Sequence, residues 1–178
     1  MKHIIYSIAI SIFLFNNISI AQVGDDFPGI SGTSIAGEDI ELPKAAKGKK
    51  TIIVMAYSEK AEEPLKTWID PIHRKFIAKN GMFDKDLDVN VYFVALFSGA
   101  NKLKLGPAMK RSKEKIDEPL HKYIFFYKGE IKTYKKLFGL EKDKPYCIML
   151  DENGKITYLS EGPCTDTKMD IIDDLARK

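Results

Sequence analysis

The chain has 178 residues, with 28 Lys and Arg against 25 Asp and Glu, and a formal net charge of +3. So mild an excess is not the electrostatic footprint of a nucleic-acid binder or of strong attraction to membranes. The length suits one domain with a core of its own, and two cysteines are too few for a disulfide-dense scaffold.

Residues 1–21 read as a secretory leader. Lys2 supplies the positive start, residues 4–15 the apolar core, and Ser19-Ile20-Ala21 the small residues a signal peptidase reads, with cleavage before Gln22. The apolar run is short for a membrane span and is interrupted by Asn16 and Asn17; the alternative is an uncleaved anchor. No cysteine follows the run, which excludes a lipoprotein anchor of the bacterial type. Cleavage leaves a single domain, residues 22–178, of 157 residues and net charge +2. The expected location is periplasmic or secreted, with no membrane span after cleavage.

In the mature part, residues 23–43 carry turn clusters around Gly32 and Ala36-Gly37-Glu38 and predict a small hairpin, with Ile40 and Leu42 on one strand face. Residues 44–50 are a basic loop. Residues 51–57, TIIVMAY, form a β-branched apolar run of the kind covered on both faces. Leu65, Trp68, Ile69, Ile72 and Phe76 then recur at helical spacing. Pro64 suits the first helical turn, Pro71 predicts a kink, and Asn80-Gly81 predicts the stop. Glu59, Glu62 and Glu63 gather where the helix dipole favours negative charge. Helix stabilisation explains them; a small acidic site is the sharper alternative.

Residues 89–97, VNVYFVALF, are a second buried strand, so strand, helix and strand make a right-handed βαβ unit. Pro107 opens a basic helix with Lys110, Arg111, Lys113 and Lys115, preceded by Lys102 and Lys104. It reads as a solvated face, or else as a docking patch for an acidic partner. Residues 123–127 predict a third strand, residues 130–137 a short helix stopped by Gly139, and residues 146–150 a fourth strand. Asn153-Gly154 predicts a two-residue hairpin loop that places Cys147 opposite Ser160. Thr165 or Asp166 caps a last helix.

Chemistry-bearing patterns are few. No His or Cys spacing matches a metal site, and phosphate loops and nucleophile elbows are missing, so no cofactor and no metal are expected. His73, one turn from Asp70, reads as a surface hydrogen bond rather than a catalytic dyad. Cys147 and Cys164 are expected as two separate thiols, one buried and one near the surface; a structural disulfide across the Gly162-Pro163 bend is the alternative.

The element order, together with VGDDFPGISGTSIAGEDIELP, KGKKTIIVMAYS and KPYCIMLDENGKITYLSEG, resembles the thioredoxin-like superfamily. The likeness is to its exported branch of thiol-disulfide reductases and peroxiredoxin-like proteins. It implies an α/β three-layer sandwich: a central mixed sheet, helices on both faces and an N-terminal β-hairpin extension. It also implies a cis-proline at Pro145. Active members carry a Cys-x-x-Cys pair between the first core strand and its helix. Here that stretch, residues 56–63, reads AYSEKAEE, so neither a dithiol nor a peroxidatic cysteine stands there. A weaker likeness, over LPKAAKGKKTIIVMAYSEKAEEPLKTWIDPI, is to the redox-inactive mitochondrial ATP synthase assembly factors.

The resulting expectation is a redox-inactive binding or assembly module of the cell envelope; enzyme activity stays open, with the missing junction cysteines speaking against it. Tyr57, Ser58, Glu59, Lys144, Pro145 and Tyr146 would line a cleft for an envelope protein or an extended peptide. The competing expectation is a thiol-disulfide oxidoreductase or antioxidant protein working through Cys147 and Cys164.

Overall fold

A computed structural model describes residues 23–178. The leader, residues 1–21, lies outside the described residues. Seven strands form one sheet in the order β2-β1-β5-β4-β3-β6-β7. They are β1 (Ile30–Ser34), β2 (Asp39–Leu42), β3 (Lys50–Ala56), β4 (Val89–Phe97), β5 (Ile124–Lys128), β6 (Tyr146–Leu150) and β7 (Ile156–Glu161). The helices are α1 (Glu62–Ile72), α2 (Leu105–Lys115), α3 (Lys132–Phe138) and α4 (Asp166–Arg177).

β3 runs parallel to β4, and β4 parallel to β5, while β6 and β7 return antiparallel. Alternation along β3 divides the core. Ile53 and Met55 join the layer under α3 with Phe125, Tyr134 and Phe138. Ile52 and Val54 join the layer under α1 and α4 with Trp68, Ile72 and Ile172, and Leu105 and Met109 of α2 pack on its margin. The expected layers and the parallel neighbours are therefore present.

The hairpin joins the sheet through β1, which pairs antiparallel with β5. Gly32 lies inside β1 opposite Ile40, not in a turn. A Cβ there would overlap the Phe126 carbonyl, so close approach of β5 explains this glycine.

α1 departs from the expected ending. Pro71 has no N–H for the Thr67 carbonyl, and the chain widens into a π turn over His73–Ile77, with Ala78 N–H donating to the His73 carbonyl at 2.8 Å. The wider turn moves the left-handed residue to Lys79 (φ 53°), where Asn80 N–H reaches the Arg74 carbonyl at 3.0 Å. Asn80-Gly81 is thus not the stop; Gly81 N–H donates to Asp84 Oδ2 at 3.0 Å.

The β6–β7 turn differs as well. Asp151 pairs with Lys155 through a 2.9 Å main-chain bond, leaving a three-residue loop with Gly154 at φ 86°. Asp151 Oδ1 accepts from Asn153 and Lys155 N–H at 2.9 and 2.8 Å, which favours this tighter-bound turn. A bulge between Met149 and Leu150 restores the register, and Cys147 does face Ser160. Thr165 caps α4, its side chain accepting from Lys168 N–H.

An ion cluster ties α4 to the end of α1. Arg177 Nη2 lies 3.1 Å from Asp84 Oδ1, and Lys75 Nζ 2.9 Å from Asp173 Oδ2. Arg177 Nε stands 2.9 Å from Asp173 Oδ1, an ion pair without a directed hydrogen bond. Burial pushes the Asp173 carboxyl up, but Lys75 and Arg177 together outweigh it and hold the group below the ordinary 3.8. A depressed carboxylate contributes stability above its unfolded pKa and loses it as pH falls through the folded one. We expect Asp173→Asn to cost about 1 kcal/mol near neutrality. In urea unfolding the gap to wild type should close as pH is lowered past 3.8; a gap that stays constant would remove charge as its cause.

Candidate functional site

β3 ends at Ala56, and the chain turns through Tyr57 and Ser58 into a short 3₁₀ turn, Glu59–Ala61, before α1. Ser58 has extended backbone and caps the turn, its Oγ accepting from Lys60 N–H at 3.2 Å. Ala61 N–H donates to the Ser58 carbonyl at 3.1 Å, and Ala61 is fully buried.

The carboxylates gathered here are each held by a lysine. Glu59 Oε1 lies 3.0 Å from Lys104 Nζ, and that hydrogen bond, followed by the Lys104 charge, keeps the Glu59 carboxyl below its usual range. Glu62 and Glu63 share Lys66 at 3.3 and 2.7 Å. They stabilise the helix start. Among the described residues no three His, Cys, Asp or Glu side chains come together to hold a metal ion.

Tyr57 is half-buried against the α3 layer, with Lys135 Nζ 4.5 Å from its ring centroid. The 144–146 segment lies beside the junction because Tyr146 pairs with Met55. Lys144 Nζ bridges Glu141 and Glu161 at 3.0 and 2.9 Å, and these hydrogen bonds, Glu161 first, push its pKa up. Pro145 is buried, and its carbonyl accepts from Gly162 N–H at 2.8 Å.

The expected cis bond at Pro145 is not found. Among the described residues the cis bond is Leu42–Pro43. The chain reverses earlier, in a turn at residues 142–143, so Pro145 leads straight into the β6 ladder.

The structure thus brings Tyr57, Ser58, Glu59, Lys144 and Pro145 to one end of the sheet, where the parallel strands finish. Tyr146 points into the core instead. Its hydroxyl donates to the Gly139 carbonyl at 2.8 Å and accepts from Glu141 N–H at 2.9 Å, tying the end of α3 to β6. Lys102, Lys104 and Lys135 also belong to this end. Local pattern does not single them out, because the contacts that bring them there span distant parts of the chain.

Neither thiol stands in the junction stretch, residues 56–63. Cys147 is fully buried in the layer under α1 and α4, and burial pushes its thiol well up. Cys164 is half-buried beyond the Gly162-Pro163 bend, its N–H donating to Thr67 Oγ1 at 2.8 Å. Burial raises its pKa too, against the Lys168 charge. Both are free. His121, also buried, donates from Nε2 to the Ile116 carbonyl at 2.8 Å and is structural.

The sheet order, the two packed faces and the strand–turn–helix junction define the thioredoxin-like fold. Solved structures of that fold match at low identity. One is the thioredoxin domain of a thiol-disulfide oxidoreductase from Bacteroides vulgatus, at 15% identity and TM-score 0.57, covering 87% of this chain and 98% of that one. Another is an exposed lipoprotein thioredoxin from Streptococcus pneumoniae, at 16% and 0.55, covering 84% and 98%. A thiol peroxidase from Chromobacterium violaceum matches at 13% and 0.55, covering 89% and 88%. No family model matches the chain, and no curated protein matches it. Among the described residues no helix is long and apolar enough to cross a membrane.

Proposed function

We propose that the protein is an exported binding or assembly module of the cell envelope that uses the thioredoxin-like frame without thiol chemistry. The observation that carries this reading is the junction itself. The position where a helix N-terminus would activate a thiol holds Ser58, Glu59, Lys60 and Ala61. A carboxylate or hydroxyl cannot exchange a disulfide. The two cysteines stand elsewhere with raised pKa values, the wrong direction for a nucleophilic thiolate at neutral pH. The binding surface we assign is the end of the sheet around Tyr57, Ser58 and Glu59, bordered by Lys144, with Pro145 buried beneath it. Tyr146 acts from beneath by holding the loop. An extended peptide segment is the ligand class such a surface accepts.

The test uses the full chain expressed with its own leader in a Gram-negative host. Protein recovered from the periplasm should begin at Gln22. It should reduce insulin, and turn over peroxide, no faster than a free thiol. Retention of the leader would overturn cleavage. Turnover that disappears in Cys147→Ser would overturn redox inactivity and favour an oxidoreductase working through Cys147 and Cys164.

A further inference from the structure

Charge is unevenly distributed along the chain. Residues 98–136 carry eleven Lys and Arg against four Asp and Glu, a net +7 within a protein of net +3, so the remainder is net −4. This basic stretch comprises the connections that follow β4 and β5, with α2 and most of α3. Because β3, β4 and β5 are parallel neighbours, those connections leave the sheet beside the β3–α1 junction.

Three of the lysines are held in place there. Lys104 is fixed by Glu59, Lys102 by Glu130 at 2.8 Å, and Lys135 by the Tyr57 ring. Around them Lys60, Arg111, Lys132 and Lys136 are exposed, with no carboxylate within ion-pair distance among the described residues. The carboxylates at the junction and across from it are already engaged, Glu59 by Lys104, Glu130 by Lys102, and Glu62 and Glu63 by Lys66. On the far side of Tyr57 there is no such excess: Lys144 is held between Glu141 and Glu161, and residues 141–144 carry two acidic and two basic side chains.

We infer that the surface running from Tyr57 across Lys102, Lys104 and Lys135 docks an acidic, extended segment of a partner protein. The inference rests on the binding-module reading above and names the partner's chemistry. The half-buried tyrosine supplies an apolar contact, and Lys135 with the unpaired Lys60, Arg111, Lys132 and Lys136, added to the ion-paired Lys102 and Lys104, supply a net positive field that favours carboxylates over neutral or basic side chains. The positive excess lies on the α2 and α3 side of Tyr57 and not on the Lys144 side, which orients a chain with its acidic part towards α3.

Fluorescence anisotropy of a fluorescein-labelled Glu-rich peptide, against the same peptide with Gln for Glu, tests this. The Glu peptide should bind, and weaken as salt is raised from about 50 to about 300 mM, where screening shortens to a few ångströms. The triple variant Lys102→Glu/Lys104→Glu/Lys135→Glu should bind it at least about tenfold more weakly. The milder Lys104→Gln/Lys135→Gln should fall between, which separates lost charge from a misfolded surface. Lys47→Glu/Lys85→Glu, exposed at the opposite end of the sheet, should bind as wild type.

Equal binding of the Gln peptide, or no binding of either, would overturn the inference. So would equal weakening by the control variant, or preferential binding to phosphatidylglycerol vesicles. Insulin reduction by the same preparation would overturn the redox-inactive reading instead. Redox inactivity with no discrimination between the peptides would remove only the acidic partner.

Discussion

Ser58→Cys/Ala61→Cys should convert this protein into a measurable insulin reductase. The two positions have the spacing of the missing dithiol, and the Ala61 N–H to Ser58 carbonyl bond of 3.1 Å closes a turn between them. Such a turn holds its end Cα atoms within about 7 Å, the range a disulfide spans. Ser58 already places its Oγ against the Lys60 N–H, so a sulfur there would meet the same donor at the start of the helix.

The chemistry balances without another component beyond a dithiol reductant. The thiolate at position 58 attacks a substrate disulfide and releases one substrate thiol. The thiol at position 61 then loses its proton and displaces the second, leaving the pair oxidised until the reductant restores it. A thiol pKa lowered from about 8.5 to about 7 raises the thiolate fraction at neutral pH about fifteenfold. Glu59, Glu62 and Glu63 work against that shift, and Lys104 offsets Glu59. A gain of about tenfold over wild type is the expected result. Titration showing a formed disulfide with no gain in insulin reduction would mean that the junction is not reachable by a protein substrate, and would count against a docking surface there.

Trp68→Ala should be strongly destabilising, and more so than Trp68→Phe. The indole is fully buried between the sheet and α1, and its Nε1–H donates to the Gly162 carbonyl at 2.9 Å. Truncation empties a large volume and leaves that carbonyl without its partner. Together these cost about 3–5 kcal/mol, much of the stability of a typical domain. Trp68→Phe keeps most of the apolar contact and removes the donor, which isolates a cost of about 1–3 kcal/mol. Since Trp68 is the single tryptophan, the variants are followed by circular dichroism in urea rather than by fluorescence. Equal stability of both variants would show that the Gly162 contact, and not the packing of the ring, carries the effect. The Gly162 bend also binds Pro145 and leads to Cys164, so Trp68 anchors the segment that borders the proposed surface.

Much of the frame was legible in sequence because its signals are local. The apolar runs of β3 and β4 are long enough to be strands covered on both faces, and α1 carries its stripe at helical spacing. Gly139 ends α3 in the left-handed region (φ 64°), as a glycine can. The missing thiol at the junction is likewise a fact of sequence, and it carries the functional reading. Cys147 faces Ser160 as the hairpin pattern predicts, although a bulge, rather than a two-residue loop, sets that register.

Only the tertiary structure decided what surrounds the junction. The Glu59–Lys104 contact joins residues 45 apart, and Trp68–Gly162 joins residues 94 apart. Local periodicity holds no information about such pairs, which depend on the order in which strands assemble. The inward turn of Tyr146, the attachment of the hairpin to β5 and the trans bond before Pro145 are of the same kind. Residue type and spacing made β3 a strand and the junction thiol-free; the parallel order of β3, β4 and β5 brought three lysines from two other connections to its side.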